Sequence, residues 1–397
     1  MISPETKKPF VAIACGGTGG HLFPGIAVAE ELKKRGCDVA LLISPKDVDQ
    51  QAVKSTRDME IFTLPAVGLQ NRNYFSFGWN FWKSFRAVRK IFKTCKPDAV
   101  LAMGGFTSAP PILAAKKIGA KTFLHESNTI PGRANRFLAR SVDEAFVGFP
   151  ETVARLRAKK TSATGTPVRS QFGSEKPAIE NCRAALGLDP NLPTILIVGG
   201  SQGASGLNEM ILSALPLLAA KNWQWLHLTG ANDFEKVENF YSGKNLKAVV
   251  KPFLTEMDLA LGAATVAVSR SGASSLAEIA AMRLPSLLVP YPAAADNHQL
   301  FNARAFEKNG AAKLLEQKNS TPEKVAAILT ELVENNLVHS EMQTALAQWH
   351  APKAAEQIAE SILSAIELQT AIGEVGERAQ RPPRRTQSNE TQHSIAA

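Results

Sequence analysis

Residues 10–34 read FVAIACGGTGGHLFPGIAVAEELKK, and this stretch decides the fold. Phe10–Cys15 is an apolar run of strand length, Pro24 to Leu32 reads as a helix, and Gly16-Gly17-Thr18-Gly19-Gly20-His21 joins them. A strand feeding a helix through a tight loop is the unit of parallel α/β sheets. Four glycines in five residues cost more backbone entropy than an ordinary βα turn requires. The loop therefore reads as one that brings bare N–H groups up to a substrate, with a helix N-terminus that favours negative charge. Its spacing does not fit GxGxxG and no GK[ST] follows, which counts against dinucleotide and ATP cradles.

Outward from this unit the alternation repeats. Val39–Ser44, Ala99–Met103, Lys121–Leu124 and Glu144–Val147 are strand-like in the first half; Thr194–Val198, Trp225–Leu228, Ala248–Lys251, Val266–Ser269 and Ser286–Val289 are strand-like in the second. Helical patterns separate them, so two doubly wound parallel-sheet domains are expected. A chain of 397 residues that is 45% hydrophobic has material for two cores. The run TGTPVRSQFGSEKP, reaching Pro177, separates the series and places a first domain at 1–165 and a second at 166–369. From about Thr370 the Arg/Pro/Gln/Ser-rich composition reads as a disordered tail, 370–397.

Charge is divided unevenly. Residues 1–165 carry 25 Lys+Arg against 13 Asp+Glu, net +12, whereas residues 166–397 carry 20 against 23, net −3. A basic first half can attract nucleic acid, anionic lipid or a phosphorylated substrate. The four cysteines have no CxxC and no metal-ligand spacing, and read as reduced thiols. Neither a signal-peptide core nor an apolar run of transmembrane length is present in the sequence, so a soluble protein or one resting on a membrane face is expected.

Two more glycine loops follow strands: Gly104-Gly105-Phe106-Thr107-Ser108 and Gly199-Gly200-Ser201-Gln202-Gly203. Carboxyl ends of strands form the ligand crevice of open α/β sheets. The first two loops then line one lip of a cleft and the third the opposite lip, and a diphosphate could bridge them. His125-Glu126-Ser127-Asn128 follows the strand ending at Leu124; Asn128 is the candidate for ligand contact, and His125 reads equally as a structural residue. Gly104, Gly105 and Glu126 are assigned to the acceptor side. Ser269-Arg270-Ser271-Gly272-Ala273 repeats the strand–small-residue–helix plan, with Glu278 placed to accept from ribose hydroxyls or, alternatively, to be a solvated helix glutamate.

Together GGTGGH with FPG, MGGF, HESN, GTPVR, GGSQGA, SRSGA with Glu278, and His298-Gln299 followed by Asn302-Ala303 resemble the MurG family. Its members are UDP-N-acetylglucosamine:lipid I N-acetylglucosaminyltransferases of peptidoglycan synthesis. The resemblance spans Gly16 to Ala303. It implies a GT-B fold, two Rossmann-like domains around a deep cleft, with no metal and no cofactor. It also implies inverting transfer from UDP-GlcNAc to the C4 hydroxyl of undecaprenyl-pyrophosphoryl-MurNAc-pentapeptide. Donor contacts carry over onto Thr18, Gly19, Gly20, Asn128, Arg169, Ser201, Glu278 and Gln299, with the backbone at Leu254 holding the uracil. Ser127 departs from the glutamine the family often has, and Pro292–Asn297 is poor in the charged and hydroxyl residues usual there. The departing UDP gains negative charge, which Ser201, the loop N–H groups and Arg169 would stabilise. His21 is the candidate general base, because it closes the first loop and an imidazole can take a proton near neutral pH; the alternative is a helix-start histidine that positions the loop.

Residues 79–96, WNFWKSFRAVRKIFKTCK, hold six basic residues and no acid. Helical spacing puts Phe81, Phe85, Val88 and Phe92 on one face and Lys83, Arg86, Lys90 and Lys93 on the other. The aromatic face can pack on the sheet. Trp79 and Trp82 beside the cations favour instead an anionic membrane surface, with Phe85 included, and hence a peripheral protein on the cytoplasmic face of the cell membrane. Other readings are transfer to a different lipid such as diacylglycerol and a nucleotide-sugar-binding module without catalysis. Nucleic acid is not expected as a partner, since no recognised nucleic-acid module is present.

Overall fold

The computed structural model describes residues 8–46, 49–50, 53, 59–65, 74–173, 178–200, 203–244 and 246–379, with backbone only at 74–77 and 372–379. Among these residues seven strands form one sheet: β1 (Phe10–Ala14), β2 (Asp38–Ile43), β3 (Glu60–Thr63), β4 (Ala99–Ala102), β5 (Lys121–Glu126), β6 (Glu144–Val147) and β7 (Thr161–Ala163). Their order is β3-β2-β1-β4-β5-β6-β7. Six form the other: β8 (Thr194–Val198), β9 (Gln224–Leu228), β10 (Ala248–Lys251), β11 (Val266–Ser269), β12 (Ser286–Leu288) and β13 (Lys313–Leu314), in the order β10-β9-β8-β11-β12-β13. Every pairing is parallel. Both orders reverse once, between β1 and β4 and between β8 and β11, and at such a reversal a crevice opens beyond the strand ends.

The strands are near-continuously apolar because both sheet faces are covered. In β1, Val11 and Ile13 enter one core cluster while Ala12 and Ala14 enter another, on alternate faces. The helix Gly19–Lys34 closes the first cluster; the helices Tyr74–Thr94 and Ala109–Lys117 close the second.

The last helix corrects the expected boundary. Ala354–Ala379 leaves the second domain and packs on Gly19–Lys34. Ile358 and Ile362 are fully buried in the first-domain core, and each contributes about 1.5–3 kcal/mol. Arg35 reaches Glu360 at 3.2 Å, and Ser361 Oγ donates to Glu144 Oε2 at 2.5 Å. Residues 354–369 thus belong to the first core, and the helix runs nine residues past Thr370; residues 380–397 of the expected tail lie outside the described residues.

The two connections between domains touch where they cross. Gly165 has φ +81°, and a Cβ there would lie 2.3 Å from Ala351 Cβ. No side chain fits between the two segments at this point.

Candidate active site

A cavity of about 1800 Å³ fills the cleft between the domains. Thr18 is the N-cap of Gly19–Lys34, yet its hydroxyl makes no capping bond and lies 3.1 Å from His21 Nδ1 instead. The first-turn N–H groups of Gly19 and Gly20, which have no partner inside a helix, therefore stand at the cavity wall. The loop is held from behind: Asp49 Oδ2 accepts from Gly17 N at 2.7 Å, and Lys46 Nζ donates to Gly17 O at 2.9 Å.

His21 lines the cavity with its imidazole laid over the second glycine loop. Gly104 and Gly105 have φ +110° and +75°. A Cβ at Gly104 would come within 2.9 Å of His21 Nε2, and one at Gly105 within 3.1 Å of His21 Cε1. Of the pair, Gly105 lines the cavity, whereas Gly104 lies behind the ring with its N–H bonded to Ser108 Oγ at 3.0 Å. Burial pushes the His21 pKa down to about 4, with opposing help from Asp49 and further lowering by His298 and Lys46. The ring is neutral at pH 7.

Glu126 is not at the cavity wall. It is buried beneath it, accepting from Asn128 N (2.9 Å) and Asn128 Nδ2 (3.1 Å) on one oxygen and from Gly132 N (2.8 Å) and Asn135 Nδ2 (2.9 Å) on the other. It shapes the loop that presents Asn128, which does line the cavity. His125 is structural: Nε2–H donates to Gly165 O at 3.0 Å, leaving Nδ1 to accept from Ser127 Oγ.

From the second domain, Gly272, Ala273, Ser274 and Ser275 bring another helix start to the cavity, that of Ala273–Met282. Leu254, Glu278 and Gln299 line it as well. Burial raises the Glu278 pKa against the lowering effect of Arg169, whose Nη2 donates to Glu278 Oε1 at 3.3 Å. The Arg169 guanidinium lies 4.1 Å over the Phe23 ring. Arg169 therefore ties the linker to both walls. Gln299 Oε1 accepts from Tyr291 N at 2.9 Å. Ser201 lies outside the described residues.

Asn302 escaped any role in the sequence reading, although it closes the last matched motif. Fully buried, it accepts on Oδ1 from Thr129 N (2.9 Å) and Thr129 Oγ1 (3.0 Å), and donates to Asn128 Oδ1 (3.0 Å) and Ser271 O (3.1 Å). It joins the two domains at the cavity. Asp49 and Lys46 were missed too; their only sequence signal is a polar cluster after an apolar strand whose loop neighbours the first glycine loop.

On the helix Tyr74–Thr94, Ser84, Val88 and Phe92 are buried, and Phe81 and Phe85 are partly so. Phe85 packs on the core, with Lys117 over its ring at 5.2 Å, so it is not an outward residue. Trp79 and Trp82 are 57% and 45% exposed and stack at 5.2 Å. Lys83 lies over Trp79 and Arg86 over Trp82, while Lys90 and Lys93 are exposed. No helix among the described residues is long and apolar enough to cross a membrane.

Residues 11–147 match the glycosyltransferase family 28 N-terminal domain, and residues 194–358 its C-terminal domain. A protein of Anaeromyxobacter sp. (strain Fw109-5) is 35% identical over 357 residues, 88% of this chain and 91% of that one. It is named UDP-N-acetylglucosamine--N-acetylmuramyl-(pentapeptide) pyrophosphoryl-undecaprenol N-acetylglucosamine transferase. The chain belongs to the MurG family. A second member, from Bacillus pumilus (strain SAFR-032), bears the same name and is 32% identical over 88% of this chain and 97% of its own. The crystal structure of Acinetobacter baumannii MurG superposes with a TM-score of 0.70 at 28% identity, covering 90% of this chain and 100% of that one. The GT-B arrangement expected of the MurG family, two Rossmann-like domains facing a cleft, is the one observed.

Proposed function

We propose that this enzyme transfers GlcNAc from UDP-GlcNAc to the C4 hydroxyl of undecaprenyl-pyrophosphoryl-MurNAc-pentapeptide, converting lipid I to lipid II in peptidoglycan synthesis with inversion at the anomeric carbon. What carries the reading is one cavity whose walls come from both family 28 domains and hold a neutral histidine, two uncapped helix starts and a buried glutamate. The uracil rests on the Leu254 backbone and Glu278 accepts from the ribose hydroxyls. Arg169, already paired with Glu278, orients that carboxylate. The diphosphate lies between the Gly19–Gly20 amides and the second domain's glycine loop with Ser201, and Asn128 and Gln299 contact the sugar end.

The C4 oxygen attacks the anomeric carbon from the face opposite UDP. The C1–O bond breaks with its electron pair passing to the β-phosphate, and His21 takes the hydroxyl proton. An imidazole with a pKa near 4 is a weak base, but a dianionic neighbour raises the basicity of any group that becomes cationic. Substrate binding therefore strengthens the base just where it is needed. The exposed Trp79 and Trp82 among Lys83, Arg86, Lys90 and Lys93 suit an anionic bilayer, supporting peripheral attachment at the cytoplasmic face of the cell membrane.

The test is transfer of radiolabelled GlcNAc by the purified chain to lipid I and, separately, to diacylglycerol. Labelled lipid II and UDP in equal amounts are expected. Binding of UDP-GlcNAc without transfer, or preference for diacylglycerol, would overturn the proposal.

A further inference from the structure

Beyond His21 the cavity continues along the first domain, and its walls change character. Three helices that touch in series, Tyr74–Thr94, Ala109–Lys117 and Arg133–Leu138, supply Phe81, Leu113 and Phe137; loops supply Phe106, Ile130 and Pro131. Phe137 leaves 68% of its surface exposed. Among the described residues, the carboxylates that line the cavity, Glu256, Asp258, Glu278 and Asp296, all come from the second domain. Beside the apolar strip, among the described residues, the charged lining residue is Arg133, 84% exposed, with Asp296 3.7 Å away. The strip also begins on the helix that carries Trp79 and Trp82.

A sugar or a charged peptide needs polar partners that these six side chains do not offer. An apolar strip headed by one cation fits an amphiphile with an anionic head and a hydrocarbon tail. We propose that the strip is a subsite for the first isoprene units of the polyprenyl carrier, with Arg133 meeting its diphosphate. The protein then draws the start of the lipid tail out of the bilayer and into the continuation of the catalytic cavity. This rests on the polyprenyl-linked acceptor proposed above.

The probe is geranylgeranyl diphosphate below its micelle concentration, without membranes. It should bind the full chain by calorimetry and inhibit transfer competitively against lipid I but not against UDP-GlcNAc. Geranylgeraniol, inorganic diphosphate and a short-chain phosphatidic acid should each bind at least about tenfold more weakly. Leu113→Ser and Phe137→Ser, neither of which belongs to a core cluster, should each raise the probe Kd at least about fivefold, the effect of losing one apolar contact. Their KM for UDP-GlcNAc and sedimentation with anionic vesicles should stay unchanged, while KM for lipid I should rise. Equal Kd in wild type and variants, competition with UDP-GlcNAc, or equal binding of the phosphatidic acid would overturn the subsite. Probe binding by a chain that fails to glycosylate lipid I would sink the acceptor assignment instead, whereas transfer to lipid I without probe binding would sink the subsite alone.

Discussion

His21 is fixed by neighbours that each have another reason to be there. Thr18 gives up its capping bond to meet the ring, and two positive-φ glycines provide the floor beneath it. Since a general base contributes on the order of 10²–10⁴ in rate, His21→Ala should lower kcat at least about tenfold while UDP-GlcNAc still binds; wild-type turnover would remove His21 from the chemistry. Gly104→Ala probes the floor. It should cost about 1–2 kcal/mol of stability for the left-handed backbone and also lower kcat by displacing the imidazole. Gly36→Ala is the control, because φ there is +82° with nothing within 4 Å: its Tm should fall with kcat preserved, and an equal kcat in both variants would refute the floor. The glycines and His21 were legible because a short-range pattern encodes them. Asn302 and Asp49 were not, since their partners lie 173 and 32 residues away and only tertiary structure brings them together.

At the scale of elements, the helix Tyr74–Thr94 divides its two tasks between faces. Val88 and Phe92 hold it to the sheet, which leaves the cations and the tryptophan pair outward. Changing Lys83, Arg86, Lys90 and Lys93 to Gln should weaken sedimentation with anionic vesicles at least about tenfold, since each cation contributes about 1 kcal/mol near such a surface. UDP-GlcNAc affinity should not move, and unchanged sedimentation would refute the surface. Sequence periodicity separated those faces and put Phe85 with Val88 and Phe92, where it packs; the error lay in grouping it with Trp79 and Trp82 as membrane-facing, because aromatic character alone does not say which face a ring serves. All ten apolar runs became strands for the reason that buried parallel strands are uninterrupted. The three strands that escaped, β3, β7 and β13, are short sheet-edge segments whose residues are mostly exposed or half-buried, so neither length nor apolarity announces them.

The whole molecule carries an acid sensitivity in its buried histidines. His125 and His227, both without exposed surface, have pKa values pushed down by burial from 6.5 to about 4 and about 3. The unfolded chain then binds protons more tightly than the native one, so stability present above pH 6.5 is lost as pH falls toward the folded values. Each histidine should cost about 1.4 kcal/mol per pH unit across that window. Urea midpoints measured from pH 7 to 4.5 should fall accordingly, and the fall should be shallower in His227→Gln; a flat profile would contradict the assignment. The C-terminal helix was the largest surprise at this scale, because amphipathic spacing in Ala354–Ala379 announces a buried face without saying which domain receives it. Its return brings two chain segments to one point at Gly165 and Ala351. Joined so, the lobes share a crossing that leaves room for a hydrogen and nothing larger. Any larger residue at Gly165 would act as a wedge, and the two segments of the joint would have to part to seat it.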